Sequence, residues 1–309
     1  MPPRTAGACG SAAKGDLMQD TQLITDSGCD LSREVLDAAG VATLFFPYTL
    51  DGEERFDDFG QTLSYDAFYD ALRAGARSTT SQARPVDCHA AFQRAHDLGK
   101  TALLVTISSG LSSTYDTALT ARERFLKENP DATVHVVDSL SVSAGQGLLV
   151  LEMAARLADG MSAEAVVAWA EDNRQRVNHL FTVDSFEYLV RGGRVSPAVG
   201  AVGSVLNIKP ILHVDAEGRL APLTKLRGRR RALAELSEMV AERIEDPEEQ
   251  TIIIDHAQCP EDATALNDML AEQVAVRAVI ADRIGIIIGT HVGPSGLVVA
   301  FWGKPRGSQ

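Results

Sequence analysis

The chain has 309 residues and a formal net charge of −13, which argues against nucleic acid or an anionic membrane surface as its main partner. Hydrophobic residues make up 45% of it, enough for a sizeable core in two domains or one large one. Its 4 cysteines are scattered without metal-ligand spacing, which fits a reducing cytoplasm better than a disulfide framework, and no apolar run approaches the ~20 residues of a membrane span.

Residues 1–20 are small and polar and have no apolar segment of signal-peptide type. They are expected to be a disordered extension, with Met18 as a second candidate start. Gln22 to Thr25 predicts a strand, Leu31 to Ala39 a helix closed by Gly40, and Val41 to Leu50 a second strand carrying Pro47. Asp51-Gly52 is a two-residue hairpin signal. Ser64 caps a helix on which Tyr65, Phe68, Tyr69 and Leu72 share a face. A hydroxyl cluster, RSTTSQARP from Arg77 to Pro85, precedes a helix over Val86 to Leu98.

Ala102 to Ile107 is a short apolar run of strand character. A turn of hydroxyls follows it, Ser108, Ser109, Gly110, Leu111, Ser112, Ser113 and Thr114, and then a helix with Tyr115, Ala118, Leu119, Arg122 and Leu126 on its apolar stripe. Unpaired amides at a helix start carry partial positive charge, and hydroxyls beside them make a seat for an anion. No lysine or arginine lies within this turn, which suits a carboxylate better than a phosphate. Ser112 or Ser113 acting simply as a helix cap fits the same residues. Two such turns converge when their strands are neighbours, because ligands collect at the carboxyl ends of strands in open α/β sheets.

Thr133 to Val137 predicts a strand, Val142 to Ala158 a helix, and Ser162 caps another helix reaching Val177. Leu180 to Val183 is a strand. Alternating strands and helices up to this point predict a largely parallel sheet covered on both faces. The pattern then changes. Ser185 to Val190 is a short helix, Arg191-Gly192-Gly193-Arg194 a tight basic turn, and Ala198 to Leu206 an apolar helix. Lys209 to Val214 and Arg219 to Leu223 form a hairpin. Lys225, Arg227, Arg229, Arg230 and Arg231 open a helix that runs to Ile244. Cations there oppose the helix dipole, so a docking or phosphate-facing use competes with a merely solvated start. Thr251 to Ile254 is a strand and Asp262 to Gln273 a helix. Ile286 to Ile288 and Leu297 to Phe301 are strands around a glycine-rich loop that holds His291. The expected fold is therefore α/β, with a first domain over 21–178 built on a largely parallel sheet and a second over 179–305 built on a mixed one.

No nucleotide-binding glycine loop, helix-borne metal pair or nucleophile elbow is present. His256 and His291 are the histidines that could serve a serine nucleophile. Glycines around His291 let backbone approach a ligand closely there.

ITDSGCDLS, TTSQARP, ISSGLSSTYDTA, VVDS, YLVRGGRVS, LNIKPIL, KLRGRRRAL and GTHVGPSG occur in this order between Leu23 and Trp302. Together they resemble the DegV family, bacterial fatty-acid-binding proteins of two α/β domains. The resemblance implies one long-chain fatty acid in an apolar tunnel between the domains and no other cofactor. It implies a carboxyl group held by Thr80, Ser81, Ser112 and Ser113, with His291 near that end. It further implies a carrier without catalysis of its own, a partner fatty acid kinase that makes an acyl-phosphate for phospholipid synthesis, and docking through Arg191, Arg194, Lys225, Arg227, Arg229 and Arg230. The chain departs from the family's usual residues at Ala83, Ser113 and Ser295. A serine/histidine acyl-ester hydrolase using Ser112 and His291 is the alternative.

Overall fold

The computed structural model describes residues 20–200 and 207–307. The expected N-terminal extension up to residue 19, Met18 included, and the end of the helix expected at Ala198 to Leu206 lie outside the described residues. The first half runs β1 (Thr21–Asp26), α1 (Arg33–Ala38), β2 (Ala42–Leu44), β3 (Pro47–Leu50), β4 (Glu53–Phe56), α2 (Tyr65–Arg73) and β5 (Ser78–Thr80). It continues with α3 (Pro85–Asp97), β6 (Thr101–Thr106), α4 (Thr114–Glu128), β7 (Val134–Asp138), α5 (Ser143–Ala158) and α6 (Ala163–Asn173).

Four of these strands form a parallel sheet in the order β2-β1-β6-β7. Its helices α3, α4, α5 and α6 pack against it. A strand covered on both faces has no polar side, which is why β6 reads as a continuous apolar run; Leu103, Leu104 and Val105 are each 0% exposed. The segment expected as one strand from Val41 to Leu50 is two strands in different sheets. Phe45 and Phe46 separate them, and the Phe46 amide donates to Ser27 Oγ at 3.2 Å. β3 then joins an antiparallel three-stranded sheet, β4-β3-β5. Its hairpin turns at Asp51-Gly52, both with positive φ, as the sequence signal requires.

The second half comprises β8 (Val177–Thr182), α7 (Glu187–Arg191), α8 (Pro197–Gly200), β9 (Ile208–Val214), β10 (Leu220–Arg227), α9 (Arg229–Arg243) and β11 (Thr251–His256). It ends with α10 (Pro260–Ala271), β12 (Ala278–Arg283), α11 (Ile286–Val292) and β13 (Leu297–Trp302). A mixed six-stranded sheet, β10-β9-β8-β13-β11-β12, is parallel only between β11 and β12. Residues 178 and 179, where the two expected domains meet, both lie within β8.

Elements near the C-terminus also differ from the sequence expectation. Ile286 to Ile288 is helix, not strand. Short apolar runs do not distinguish a buried strand from a buried helix, and here Asp30 Oδ1 accepts the amide of Gly285 at the helix start, 2.9 Å away. Strand β12 was not expected; it lies at the edge of the sheet and none of its residues is buried.

Side-chain alternation divides the six-stranded sheet between two cores. Phe181, Leu212 and Val298 face a large core shared with the parallel sheet, α5 and α11. Leu180, Ile211 and Val299 face a smaller core under α9 and α10. The large core thus lies between the two main sheets, and a cavity opens within it. No helix among the described residues is long and apolar enough to cross a membrane.

The tip of the β9–β10 hairpin is pressed onto the serine turn after β6. Ser108 Oγ donates to Gly218 O at 2.7 Å. A Cβ at Gly218 would lie 2.1 Å from Ser108 Oγ, and φ is +73° there. Gly218→Ala is expected to cost about 2–3 kcal/mol, adding left-handed backbone strain to a broken buried hydrogen bond. Gly75→Ala, at φ +98° with nothing within 4 Å of a Cβ, should cost about 1 kcal/mol. Denaturant unfolding of the two variants measures the difference; equal losses would mean that the hairpin tip is not seated as described.

Candidate functional site

A cavity opens between the two main sheets, the concave and largely apolar kind of site at which small molecules bind. Its walls are mostly apolar. Phe46 and Ile107 come from the parallel-sheet side, Phe181, Val214 and Val298 from the six-stranded sheet, and Ile287, Ile288 and Val292 from α11. One end meets a polar basin through shared residues: Thr80, Ser81, Leu111, Ser112 and Arg194 line both.

Thr80 is the last residue of β5 and Ser112 lies in the turn between β6 and α4, so two separate hydroxyl clusters converge on this mouth. Ser81, which donates its amide to Pro47 O at 3.0 Å, and His291 are also in the cavity wall. Ser113 lines only the basin, where it stands at the α4 N-cap without a side-chain capping bond. Ser112 Oγ instead accepts from the Thr114 amide at 3.2 Å and is 2.9 Å from Thr114 Oγ1. Thr114 Oγ1 in turn accepts from the Ala83 amide at 3.2 Å, a donor that a proline at that position would lack. When Thr114 donates its hydroxyl proton to Ser112, the Ser112 proton is left for a ligand. The helix-capping and anion-seating expectations therefore meet in one residue.

His291 Nε2 lies 2.8 Å from Thr80 Oγ1. Burial, and then the charge of Arg194, push the imidazole pKa down to about 3, so the ring is neutral at pH 7. In the tautomer that donates from Nε2, Thr80 keeps its own proton for a ligand oxygen. Its Nδ1 has no hydrogen-bond partner. Gly192 is the reason the ring fits, since a Cβ there would be 2.1 Å from Nδ1.

Arg194 revises the expectation of a seat without cations. It lines cavity and basin, and its two terminal nitrogens donate to Gly192 O at 2.7 Å and Leu111 O at 3.1 Å. Those bonds use two of five guanidinium donors. Burial holds its pKa below the usual arginine range. The remaining expected docking residues are dispersed. Arg229 is engaged with Asp262 at 2.8 Å and Ser295 O at 2.9 Å, and its side chain is only 16% exposed. Lys225 lies over the Phe186 ring and Arg191 over Tyr188. Arg227 and Arg230 are exposed.

Two carboxylates that sequence reasoning passed over hold the serine turn. Asp26 Oδ2 accepts the Ile107 amide at 2.7 Å while Oδ1 accepts from Gly28 and Gln146. Burial pushes its pKa up to about 6 against these bonds. Asp138 Oδ1 accepts from Ser109 and Leu140. Both close a strand that flanks β6, and an aspartate at the carboxyl end of each neighbouring strand was the available signal.

Ser112 and His291 are not paired: His291 reaches Thr80, and no carboxylate orients its Nδ1, so the hydrolase arrangement is not formed. His256 lies outside the cavity wall, its Nδ1 accepting from the Cys259 amide at 3.2 Å. Among the described residues no group of three or more His, Cys, Asp or Glu is placed to hold a metal ion.

Comparison with known proteins agrees with this architecture. A DegV domain-containing protein of Clostridium perfringens is 38% identical over 289 residues, 94% of this chain and 99% of that protein. The structure described as fatty acid binding of a DegV family protein from Thermus thermophilus superposes with a TM-score of 0.83 at 29% identity, covering 92% of this chain and 99% of that one. A DegV lipid-binding protein from Thermotoga maritima gives 0.82 at 27% identity, covering 93% and 99%. The family model described as an uncharacterised protein of the DegV family matches residues 20–303, and the chain belongs to that family.

Proposed function

We propose that this protein binds one long-chain fatty acid in the cavity between its sheets, with the carboxyl group at Thr80 and Ser112. The observation that carries the proposal is the cavity itself, an apolar interior that ends in convergent hydroxyls. The fatty-acid-binding relative from Thermus thermophilus and the lipid-binding one from Thermotoga maritima support it. A C16 chain gains about 0.8 kcal/mol per buried methylene, roughly 10 kcal/mol gross before ordering costs, so tight binding needs no strong head-group ion pair. Ser81, Ser113 and neutral His291 complete the carboxyl end, and Arg194 adds positive charge beside it.

The chain then presents the acid to a partner kinase, which supplies the nucleotide and makes the acyl-phosphate used in phospholipid synthesis; this chain has no chemistry of its own. Docking falls to the exposed cations Arg227 and Arg230 with Arg191 and Lys225, since Arg229 is committed to Asp262. The free cysteines Cys29, Cys88 and Cys259 suit a cytoplasmic location.

Organic extraction of the purified protein and mass spectrometry should yield a C14 to C18 acid in near-stoichiometric amount. Thr80→Val with Ser112→Ala should weaken acyl binding about tenfold or more, through loss of two buried donors worth ~1 kcal/mol each. Absence of any lipid, or unchanged affinity in the double variant, would sink the assignment.

A further inference from the structure

Two hydroxyls of the serine turn form a chain whose direction the structure fixes. Thr114, the first residue of α4, is 0% exposed. Its Oγ1 accepts from the Ala83 amide at 3.2 Å and lies 2.9 Å from Ser112 Oγ. Among the described residues this oxygen has no other partner. Were Ser112 to give its proton to Thr114, the Thr114 proton would be buried without an acceptor, a desolvated and unpaired donor. Thr114 is therefore the donor. Ser112 Oγ already accepts from the Thr114 amide at 3.2 Å, and the Thr114 hydroxyl takes its second lone pair. Ser112 is left with only its own proton to offer.

That proton is available to a ligand. Ser112 is half-buried and lines both the apolar cavity and the polar basin. No aspartate or glutamate among the described residues lines either space. An ionised carboxyl is acceptor-only and matches a fixed donor, whereas a protonated acid brings a second proton that needs its own acceptor. A hydrogen bond to the charged form also lowers the carboxyl pKa. The chain of donors begins at the Ala83 amide, so it ties the loop after β5, which carries Thr80 and Ser81, to the turn that carries Ser112. Bonds in such a chain strengthen one another.

We propose that Thr114 is a positioning residue: anchored by the Ala83 amide, it fixes Ser112 as a donor, so that the seat selects the acid as its carboxylate. The proposal rests on the fatty-acid reading of the cavity. The ionised carboxyl is also the nucleophilic form.

The test is carbon-13 NMR of the delipidated full chain loaded with carboxyl-labelled palmitate and titrated with pH, together with the affinities of palmitate and its methyl ester. The other charged or titratable groups near the carboxyl are Arg194, His179 and His291 in the walls and Asp26 beneath the turn. Both imidazoles are held neutral to about pH 3 and the Asp26 carboxyl is pushed up to about 6; all four are common to the variants and cancel in the comparison. In the wild type the bound carboxyl should be ionised at pH 7. Thr114→Val should raise its pKa by about one unit and lower the preference for palmitate over the ester about three- to tenfold, and Thr114→Ser should restore both. Thr114→Ala removes the same hydroxyl if the valine variant fails to fold. A wild-type carboxyl still protonated at pH 7 overturns the proposal. So does equal weakening of both ligands with an unchanged pKa, the signature of a merely structural role. Palmitate giving no bound signal in the wild type would overturn the fatty-acid reading instead.

Discussion

Gly192→Ala is expected to cost about 1–3 kcal/mol of stability and about tenfold or more in acyl affinity, although alanine suits the backbone there. Gly192 has φ −77° and ψ −6°, an ordinary helical conformation. The penalty comes from space alone. The new Cβ would sit 2.1 Å from His291 Nδ1, 3.0 Å from Cε1 and 3.2 Å from Cγ. The ring cannot yield without loss, because its other nitrogen is 2.8 Å from Thr80 Oγ1. Displacing it releases Thr80, and with it one donor of the proposed carboxyl seat. Overpacking of this kind costs about 1–3 kcal/mol. Two comparisons separate the cause from general damage. Gly193→Ala meets nothing within 4 Å but has φ +72°, so it should lose about 1 kcal/mol and leave affinity alone. In a His291→Ala background the clash is absent, so adding Gly192→Ala should change stability by only a few tenths of a kcal/mol. A full penalty persisting in that background, measured by denaturant unfolding, would contradict the proposed seating of His291 on Gly192.

Local signals made much of this visible before the structure. The run from Ala102 to Thr120 shows its strand, turn and helix because each carries its own marker: a continuous apolar segment, clustered hydroxyls and a helical stripe. Ser64 and Ser162 are visible as caps for the same reason, and each accepts the amide three residues on. What stayed hidden depends on long-range packing. Ile286 to Ile288 has the composition of a strand, and only contact on several sides makes it the helix that carries His291 into the cavity wall. Arg194 was expected to serve docking from a tight basic turn. Its place beside the seat depends on α7 docking against α11, where Gly293 makes room for the Tyr188 ring as Gly192 does for His291. Arg229 looked equally free, and its partner Asp262 lies on another helix. The convergence of Thr80 with Ser112 was legible as a tendency of neighbouring strands, yet β5 belongs to the small antiparallel sheet. The convergence comes from that sheet packing at the edge of the cavity.

Asp57→Asn should stabilise the protein above neutral pH and have little effect in acid. Asp57 is 1% exposed, and burial pushes its carboxyl pKa up to about 7, with Ser27 and the Phe59 backbone acting against that rise. One of its oxygens, Oδ1, has no partner. A folded pKa above the unfolded one means that the native state binds the proton more tightly. The stabilising contribution is therefore complete below about pH 4 and is lost as pH rises through about 7. At pH 8 the buried charge costs up to about 4 kcal/mol relative to the unfolded chain, three pKa units at 1.36 kcal/mol each. Asparagine keeps the shape and an acceptor for Ser27 but removes the charge. The stability difference between variant and wild type should be near zero at pH 4, grow through pH 6 and level off at a gain of several kcal/mol by pH 8. His179 and His291 act in the opposite sense in both proteins: each is held neutral to about pH 3, so their contributions are lost as pH falls below 6.5. Because they are common to both, they cancel in the difference. Acyl affinity at pH 7 should be unchanged, since Ser27 still accepts the amide of Phe46 in the cavity wall. Unfolding curves at the three pH values give the answer, and a difference that is constant with pH, or a loss at pH 8, would show that Asp57 is not a buried acid of this kind.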